Sequence, residues 1–253
     1  MRKSLVLFSG GLDSFLSLLI AIKDGGTVTP IFYNYGQNPY EQEKKAVWKI
    51  CKKLGLAPIE INLTGIGHLL SSSYTTGKEA SENKEYTSYV PNRNLLFLTL
   101  ASNLAHLQGY KYIYTGFYFK SGKSEEYLKS GKLANVVDNH LERMDKEDYE
   151  CIPHPDQSRE FIDLVGQVLK ISDTTNAPEV VNPLAELDKV DIYSELEKMG
   201  QMAMAVVDTY SCYSNSDIEH YWGRGCGNCT SCTGRKKAYD VLKINYGEKT
   251  NRS

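Results

Sequence analysis

Leu5-Val6-Leu7-Phe8 leads without a break into Ser9-Gly10-Gly11-Leu12-Asp13-Ser14, and a helical pattern follows at once. Four apolar residues ahead of a glycine pair read as a buried strand. From Asp13 to Lys23 the apolar residues Phe15, Leu16, Leu18, Leu19 and Ile22 recur at helical spacing. Glycines let the backbone between strand and helix pass close to an anion and take up unusual dihedrals. The free N–H groups and positive end of the following helix then attract that anion. Ser9 and Ser14 add hydroxyl donors, and Asp13 suits either Mg²⁺ positioning or helix capping. The lysine of a Gly-x-x-x-x-Gly-Lys loop is missing. That omission suits a grip on departing pyrophosphate better than transfer of a γ-phosphoryl group.

Working outward, Gly25-Gly26 ends the first helix and Val28 to Tyr33 makes a second strand. Residues 40 to 54 form an amphipathic helix closed by Gly55, and Pro58 to Leu63 a third strand. Short apolar strands separated by helices imply a parallel sheet covered on both faces, a doubly wound α/β fold. Residues 65 to 89 are polar and suggest a loop over a site. Asn94 to Gln108 reads as an apolar helix, and Tyr112 to Phe117 as a further strand. Between 120 and 150, Leu133, Val136, Val137, Leu141 and Met144 fit an exposed amphipathic helix in an insertion. Helices over Ser158 to Ile171, Lys189 to Met199 and about Gly234 to Leu242 complete the chain. The expected organisation is a main domain over 1–205, interrupted by an insertion at about 117–155, with residues 206–253 as an appendage.

Bulk composition narrows the class. A chain of 253 residues, 41% hydrophobic and 24% charged, carries a full globular core. Its net charge of −2 argues against unspecific nucleic-acid binding. No apolar run approaches the roughly 18 residues a bilayer requires, and the start lacks the apolar core of a signal peptide. A cytoplasmic location is expected.

Four of the six cysteines crowd into Cys212, Cys226, Cys229 and Cys232. In a reducing compartment this spacing favours a metal over a disulfide framework. Two-residue gaps let neighbouring thiolates face one ion, and four of them suit tetrahedral Zn²⁺ in a closed, structural site. An iron–sulfur cluster is the competitor, although no proline follows Cys232. Cys51 and Cys151 read as incidental thiols, and Arg235, Lys236 and Lys237 as a solvated basic face.

The Ser9-to-Ser14 pattern resembles the PP-loop of the N-type ATP pyrophosphatases, whose fold is of the adenine nucleotide alpha hydrolase type. Together with the four cysteines it resembles the 7-cyano-7-deazaguanine synthase (QueC) family. Further segments match in order: Tyr35-Gly36-Gln37 with Glu41 and Glu43, Val90-Pro91-Asn92-Arg93-Asn94, Thr115-Gly116, Pro183-Leu184 with Lys189, and Tyr210-Ser211-Cys212-Tyr213. Asn34 stands where the family carries an aspartate before its Tyr-Gly-Gln element.

The resemblance implies ATP with Mg²⁺ as co-substrate and 7-carboxy-7-deazaguanine as the substrate that is adenylated. It implies ATP contacts along Phe8, Ser9, Gly10, Gly11, Leu12, Asp13 and Ser14, joined by Tyr35 and Gln37. Catalytic roles fall on Ser9, Asp13, Ser14, Arg93 and Lys189, the last two as cations for developing negative charge. Arg93, Asn94, Gly116, Asp156 and Arg159 are the expected substrate contacts. Asp156 would bind an amidine edge and Arg159 would balance a carboxylate.

The family's substrate segment is interrupted here, and only Pro155-Asp156-Gln157-Ser158-Arg159-Glu160-Phe161 matches its end. Ammonia is the simplest acceptor of the activated acyl group. The insertion favours an alternative seen in related antiphage-defence proteins, conjugation to an amine of a partner protein. A non-catalytic, zinc-stabilised binding protein is the third reading, which the intact loop opposes. Relatives pair as homodimers, so a homodimer is expected.

Overall fold

The computed structural model describes residues 2–70, 90–118 and 155–250, without the side chains of 155 and 244–250. Five strands, β1 (Lys3–Leu7), β2 (Thr27–Asn34), β3 (Ile59–Asn62), β4 (Tyr112–Tyr114) and β5 (Glu179–Val181), form one sheet in the order β3-β2-β1-β4-β5. All pairings are parallel, with Leu5 opposite Thr29 on one side and Ile113 on the other. Among the described residues seven α-helices accompany them: α1 (Leu12–Lys23), α2 (Tyr40–Leu54), α3 (Arg93–Gln108), α4 (Arg159–Ser172), α5 (Lys189–Lys198), α6 (Met202–Val207) and α7 (Thr230–Thr250). A two-stranded ribbon, β6 (Glu219–His220) with β7 (Gly223–Arg224), is antiparallel.

The near-continuous apolar run of β1 follows from burial on both faces. Side chains alternate across a strand, so Leu5 and Leu7 point one way and Val6 and Phe8 the other. The first pair joins Ile31, Tyr33 and Ile113 against Leu98, Ala101 and Ala105 of α3 and Ile162, Val165 and Leu169 of α4. The second joins Phe15 and Leu16 of α1, Ile50 of α2, Tyr193 and Leu196 of α5, and Ala238 and Leu242 of α7. The cysteine-bearing end of the chain thus contributes to the same core as the first helix.

Helix ends follow local chemistry. Ser158 caps α4 by accepting from the Phe161 amide at 3.1 Å. Asp188 and Asp191 close a reciprocal capping box at the start of α5. The order 3-2-1-4-5 reverses between β1 and β4, and in open α/β sheets the ligand crevice lies at the carboxyl ends beside such a switch point. Gly116 follows β4 there. A Cβ at this position would stand 2.6 Å from Ser14 Cα, so β4 and the first turn of α1 meet backbone to backbone.

Several expectations need adjustment. The fourth strand ends at Tyr114, because Gly116 turns to face α1. β5 and α6 have three and six residues, too short for a periodic signal. The last helix begins at Thr230 and continues to Thr250. Arg235 is not part of a solvated face: it is only 2% exposed. Its guanidinium donates to Ala205 O at 2.5 Å and Thr209 Oγ1 at 2.8 Å, closing the end of α6. The polar segment beyond Leu70 and the amphipathic pattern of 120–150 lie outside the described residues.

Two glycines separate packing from propensity. Gly116→Ala forces backbone against backbone and should destabilise the chain by about 2 kcal/mol or more. Gly166→Ala, in α4 with open space around it, should stabilise by about 0.5–1 kcal/mol. Denaturant unfolding of both variants checks the pair, and equal effects would remove the close approach at Gly116 from the account.

Candidate active site and metal centre

A cavity of about 950 Å³ opens at the carboxyl ends of β1, β2 and β4. Its walls include Phe8, Ser9, Gly11, Asp13, Ser14, Tyr35, Gln37, Arg93, Asn94, Gly116 and Lys189 from the sequence expectation. The loop after β1 is shaped by Gly10, whose φ of 78° lies in the left-handed region. A Cβ there would sit 3.0 Å from the Ala46 Cβ and 3.1 Å from Glu43 O, so the loop rests directly on α2. Gly11 is the N-cap of α1 and has no side chain with which to cap. The Ser9 and Ser14 hydroxyls lie 3.2 Å apart, and Ser14 Oγ donates to Gly11 O at 3.1 Å. Hydroxyls and helix amides therefore face one concave surface, an arrangement that binds anions. Gly10 and Leu12 do not line the cavity; Leu12 is buried in the core.

Asp13 and Lys189 are brought together from opposite ends of the chain. Lys189 Nζ lies 2.5 Å from both carboxylate oxygens and 4.4 Å from the Tyr118 ring centroid. Lys189 is the first residue of α5, held at the cavity by the Asp188 cap. Each partner keeps about a quarter of its side chain exposed, so both charges remain accessible to a ligand. Arg93, first in α3, donates to Tyr35 Oη at 3.1 Å and faces that ring. The Tyr33 and Phe97 rings stack at 4.1 Å below them.

The remaining expected residues divide. The Gln37 amide accepts from Tyr35 N and donates to Tyr33 O and the buried Glu43 carboxylate, which fixes the turn after β2. Asn94 Nδ2 donates to Asp156 O at 3.2 Å and so ties α3 to the 155–157 turn. Asp156 is outside the cavity lining, and burial raises its carboxyl above the ordinary value while Arg93 partly offsets this. Arg159 also lies outside the lining, paired with Glu186 at 3.0 Å, both about 70% exposed. Sequence reading missed the opposite wall: Ser211, Thr230, Thr233 and Lys237 line the same cavity. Ser211 stood in the matching Tyr210-Ser211-Cys212-Tyr213 segment without a role, and Lys237, read as part of a solvated face, lines the cavity instead.

The four cysteine sulfurs lie within 4.8 Å of one another. Tetrahedral metal–sulfur bonds of about 2.3 Å place sulfurs about 3.8 Å apart, and Cys226 and Cys232 are separated by 3.9 Å. Amides of Ser214 and Cys226 donate to Cys212 Sγ at 3.4 and 3.3 Å, and the Cys229 amide donates to Cys226 Sγ at 3.3 Å. Such donors favour thiolates and orient them as ligands. The donor set fits a thiophilic metal with no position left open. Cys51, by contrast, is wholly buried, and desolvation pushes its thiol up to about 12. Cys151 lies outside the described residues.

A parallel sheet with a glycine loop at its switch point and no loop lysine is the α/β arrangement that the resemblance to PP-loop proteins implies. The profile described as "Queuosine biosynthesis protein QueC" matches residues 3–124 and 135–243. The chain belongs to the QueC family. It is 30% identical to the 7-cyano-7-deazaguanine synthase of Campylobacter concisus, over 97% of this chain and 99% of that protein. The synthase of Methanocaldococcus jannaschii is 30% identical, with 94% of each chain covered, and that of Methanobrevibacter smithii 27%, with 96% and 95%. Among solved structures, the U34-tRNA thiolase NcsA from Methanococcus maripaludis overlaps with a TM-score of 0.44 at 13% identity, covering 96% of this chain and 65% of that one. Among the described residues no helix is long and apolar enough to cross a membrane.

Two outcomes follow from this geometry. Cys229→Ser should lose bound metal and thermal stability together, as read by elemental analysis and a melting curve; a metal-free variant melting like wild type would refute the coupling. Asp156 has a raised carboxyl pKa, so the folded chain holds that proton more tightly than the unfolded chain does. Its contribution is present at acid pH and lost as pH rises through the folded value. Asp156→Asn, which mimics the protonated form, should melt at or above wild type at neutral pH and converge with it in acid. A variant that melts lower at neutral pH would instead give the ionised carboxylate a stabilising role beside Arg93.

Proposed function

We propose that the chain is an ATP-dependent carbon–nitrogen ligase that converts 7-carboxy-7-deazaguanine to 7-cyano-7-deazaguanine through an acyl-adenylate. The observation that carries the reading is the facing of the Ser9–Ser14 loop by Lys189 and Arg93 across one cavity. Membership of the QueC family, and relatives called 7-cyano-7-deazaguanine synthase, support it.

The substrate carboxylate oxygen attacks the α-phosphorus of ATP, and pyrophosphate departs. Negative charge grows on the leaving oxygens, and fixed donors aimed at them lower the barrier. Ser9, Ser14 and the α1 amides receive pyrophosphate, while Lys189 and Arg93 stabilise the phosphates from the other side. Mg²⁺ carried in with ATP would neutralise phosphate charge, and Asp13 is the carboxylate placed to hold it. This reading has Lys189 shift from Asp13 toward phosphate when the nucleotide enters. Ammonia then attacks the acyl carbon, AMP leaves, and an amide forms. A second ATP activates the amide oxygen in the same way. Loss of a second AMP and the nitrogen-bound protons leaves the nitrile.

The four cysteines are assigned to structural Zn²⁺. Four thiolates complete a tetrahedron and leave no site for substrate, so the ion would stabilise the chain rather than act as a Lewis acid.

The test is incubation with ATP, Mg²⁺, ammonia and 7-carboxy-7-deazaguanine, followed by mass analysis. A nitrile product with AMP is expected. Absence of AMP under these conditions would sink the reading, and a protein mass adduct in place of the nitrile would replace ammonia with a protein amine. Lys189→Ala and Ser14→Ala should each lower kcat/KM about 10²–10³-fold with melting temperature little changed. Wild-type turnover in either variant would remove that residue from the mechanism.

A further inference from the structure

The segment before the first metal ligand is stitched onto the phosphate loop. Tyr210 N–H donates to Gly10 O at 2.8 Å. One residue on, Ser211 Oγ accepts from the Leu12 amide at 3.2 Å. A Cβ on Gly11 would meet Ser211 Oγ at 3.3 Å and Tyr210 O at 3.4 Å, so the strap lies in contact with the loop. Ser211 also lines the cavity and is half-buried.

These contacts have a chemical consequence. Leu12 opens α1, and its N–H is one of the first-turn amides with no partner inside the helix. That amide is satisfied by a hydroxyl from elsewhere. A serine hydroxyl accepting one hydrogen bond still has its own proton to donate. Accepting from an amide polarises the O–H and strengthens its donation. Among the described residues, no hydrogen bond is formed by that proton. The recessed Leu12 N–H is thus converted into an O–H donor standing further into the cavity, beside Ser9, Ser14 and Gly11.

We infer that Ser211 is a phosphate-binding residue of this site, relaying the Leu12 amide to a pyrophosphate oxygen of ATP through its hydroxyl. The inference rests on the reading of the Ser9–Ser14 loop as the pyrophosphate site. It adds a donor that belongs to the C-terminal, cysteine-bearing part of the chain. Cys212 follows directly, so a filled four-cysteine site would hold the strap, and with it the hydroxyl, in place.

The experiment measures binding of inorganic pyrophosphate and of ATP, each with Mg²⁺, to the full chain by calorimetry. Metal content and melting temperature are read on the same samples. One hydrogen bond to a charged acceptor corresponds to roughly ten- to hundredfold in affinity. Ser211→Ala should weaken both ligands by that factor with metal content unchanged. Ser211→Thr, which keeps the hydroxyl, should restore most of the binding. If Ser211→Ala loses metal, the comparison passes to Ser211→Thr against Ser211→Val, which differ only in the hydroxyl at equal shape. Equal affinities in the folded, metal-containing pair overturn the inference while the loop reading stands. If wild type binds neither pyrophosphate nor ATP, the loop reading fails and the inference falls with it.

Discussion

The hydrogen bond from Tyr210 N–H to Gly10 O joins the last part of the chain to the turn on which the cavity depends. That turn is confined on three sides by backbone and small side chains. α2 lies beneath Gly10, Gly116 presses on Ser14, and the Tyr210–Ser211 strap covers Gly11. Two of these contacts demand glycine, since a Cβ at Gly10 or Gly116 would reach main-chain atoms at 3.1 Å or less. A loop enclosed in this way cannot relax when an anion arrives. Its amides are preorganised, the condition under which fixed dipoles stabilise charge without reorganisation.

Charge balance follows from the same geometry. The cavity has helix amides at one end, and its walls carry Arg93, Lys189 and Lys237 together with Asp13, Glu43 and Asp188. Lys189 rests on the Asp13 carboxylate at 2.5 Å. This pairing keeps two half-buried charges from standing alone, which would cost several kcal/mol. Lys44 illustrates a different use of the same chemistry. It bonds Tyr40 and Glu60 on the surface, 2.8 and 2.9 Å away, and links α2 to β3 without facing the cavity.

The first two strands and helices were legible because their apolar residues recur at a clear period and glycines punctuate them. The glycine turn between β1 and α1 was legible because Gly10-Gly11 separates an apolar run from a helical period. The four-cysteine site was legible from spacing alone, since the knuckle is local: three of its four ligands lie within seven residues. What could not be read shares one property, dependence on contacts between distant segments. Arg235 sits beside Lys236 and Lys237 and reads as surface. Only the phase of α7 and the carbonyls of Ala205 and Thr209 reveal it as buried. Arg159 shows the converse. Its match to a substrate segment suggested the cavity, yet its helix phase turns it to solvent and Glu186.

Residues 206–253, expected as an appendage, share the core of the main domain. Ala238 and Leu242 pack with Phe15, Leu16 and Tyr193, and the fully buried Asp208 carboxylate accepts from Lys53 at 2.5 Å and pairs with the Lys49 charge at 2.8 Å, both on α2. Opposite charges hold Asp208 below the usual carboxylate range despite its burial. Between that anchor and Cys212 lie only Thr209, Tyr210 and Ser211, so the paired Asp208 carboxylate on one side and the cysteine cluster on the other fix the strap at both ends. Few apolar side chains surround the cluster: Ala46, Tyr210 and Trp222 form a small core with Cys212 and Cys232. A core of that size supplies little stability by itself. A bound metal would make up the difference, because ligand binding to the folded state is folding free energy. The cluster is therefore joined to the cavity by the chain between them, with Tyr210 and Ser211 as the physical connection.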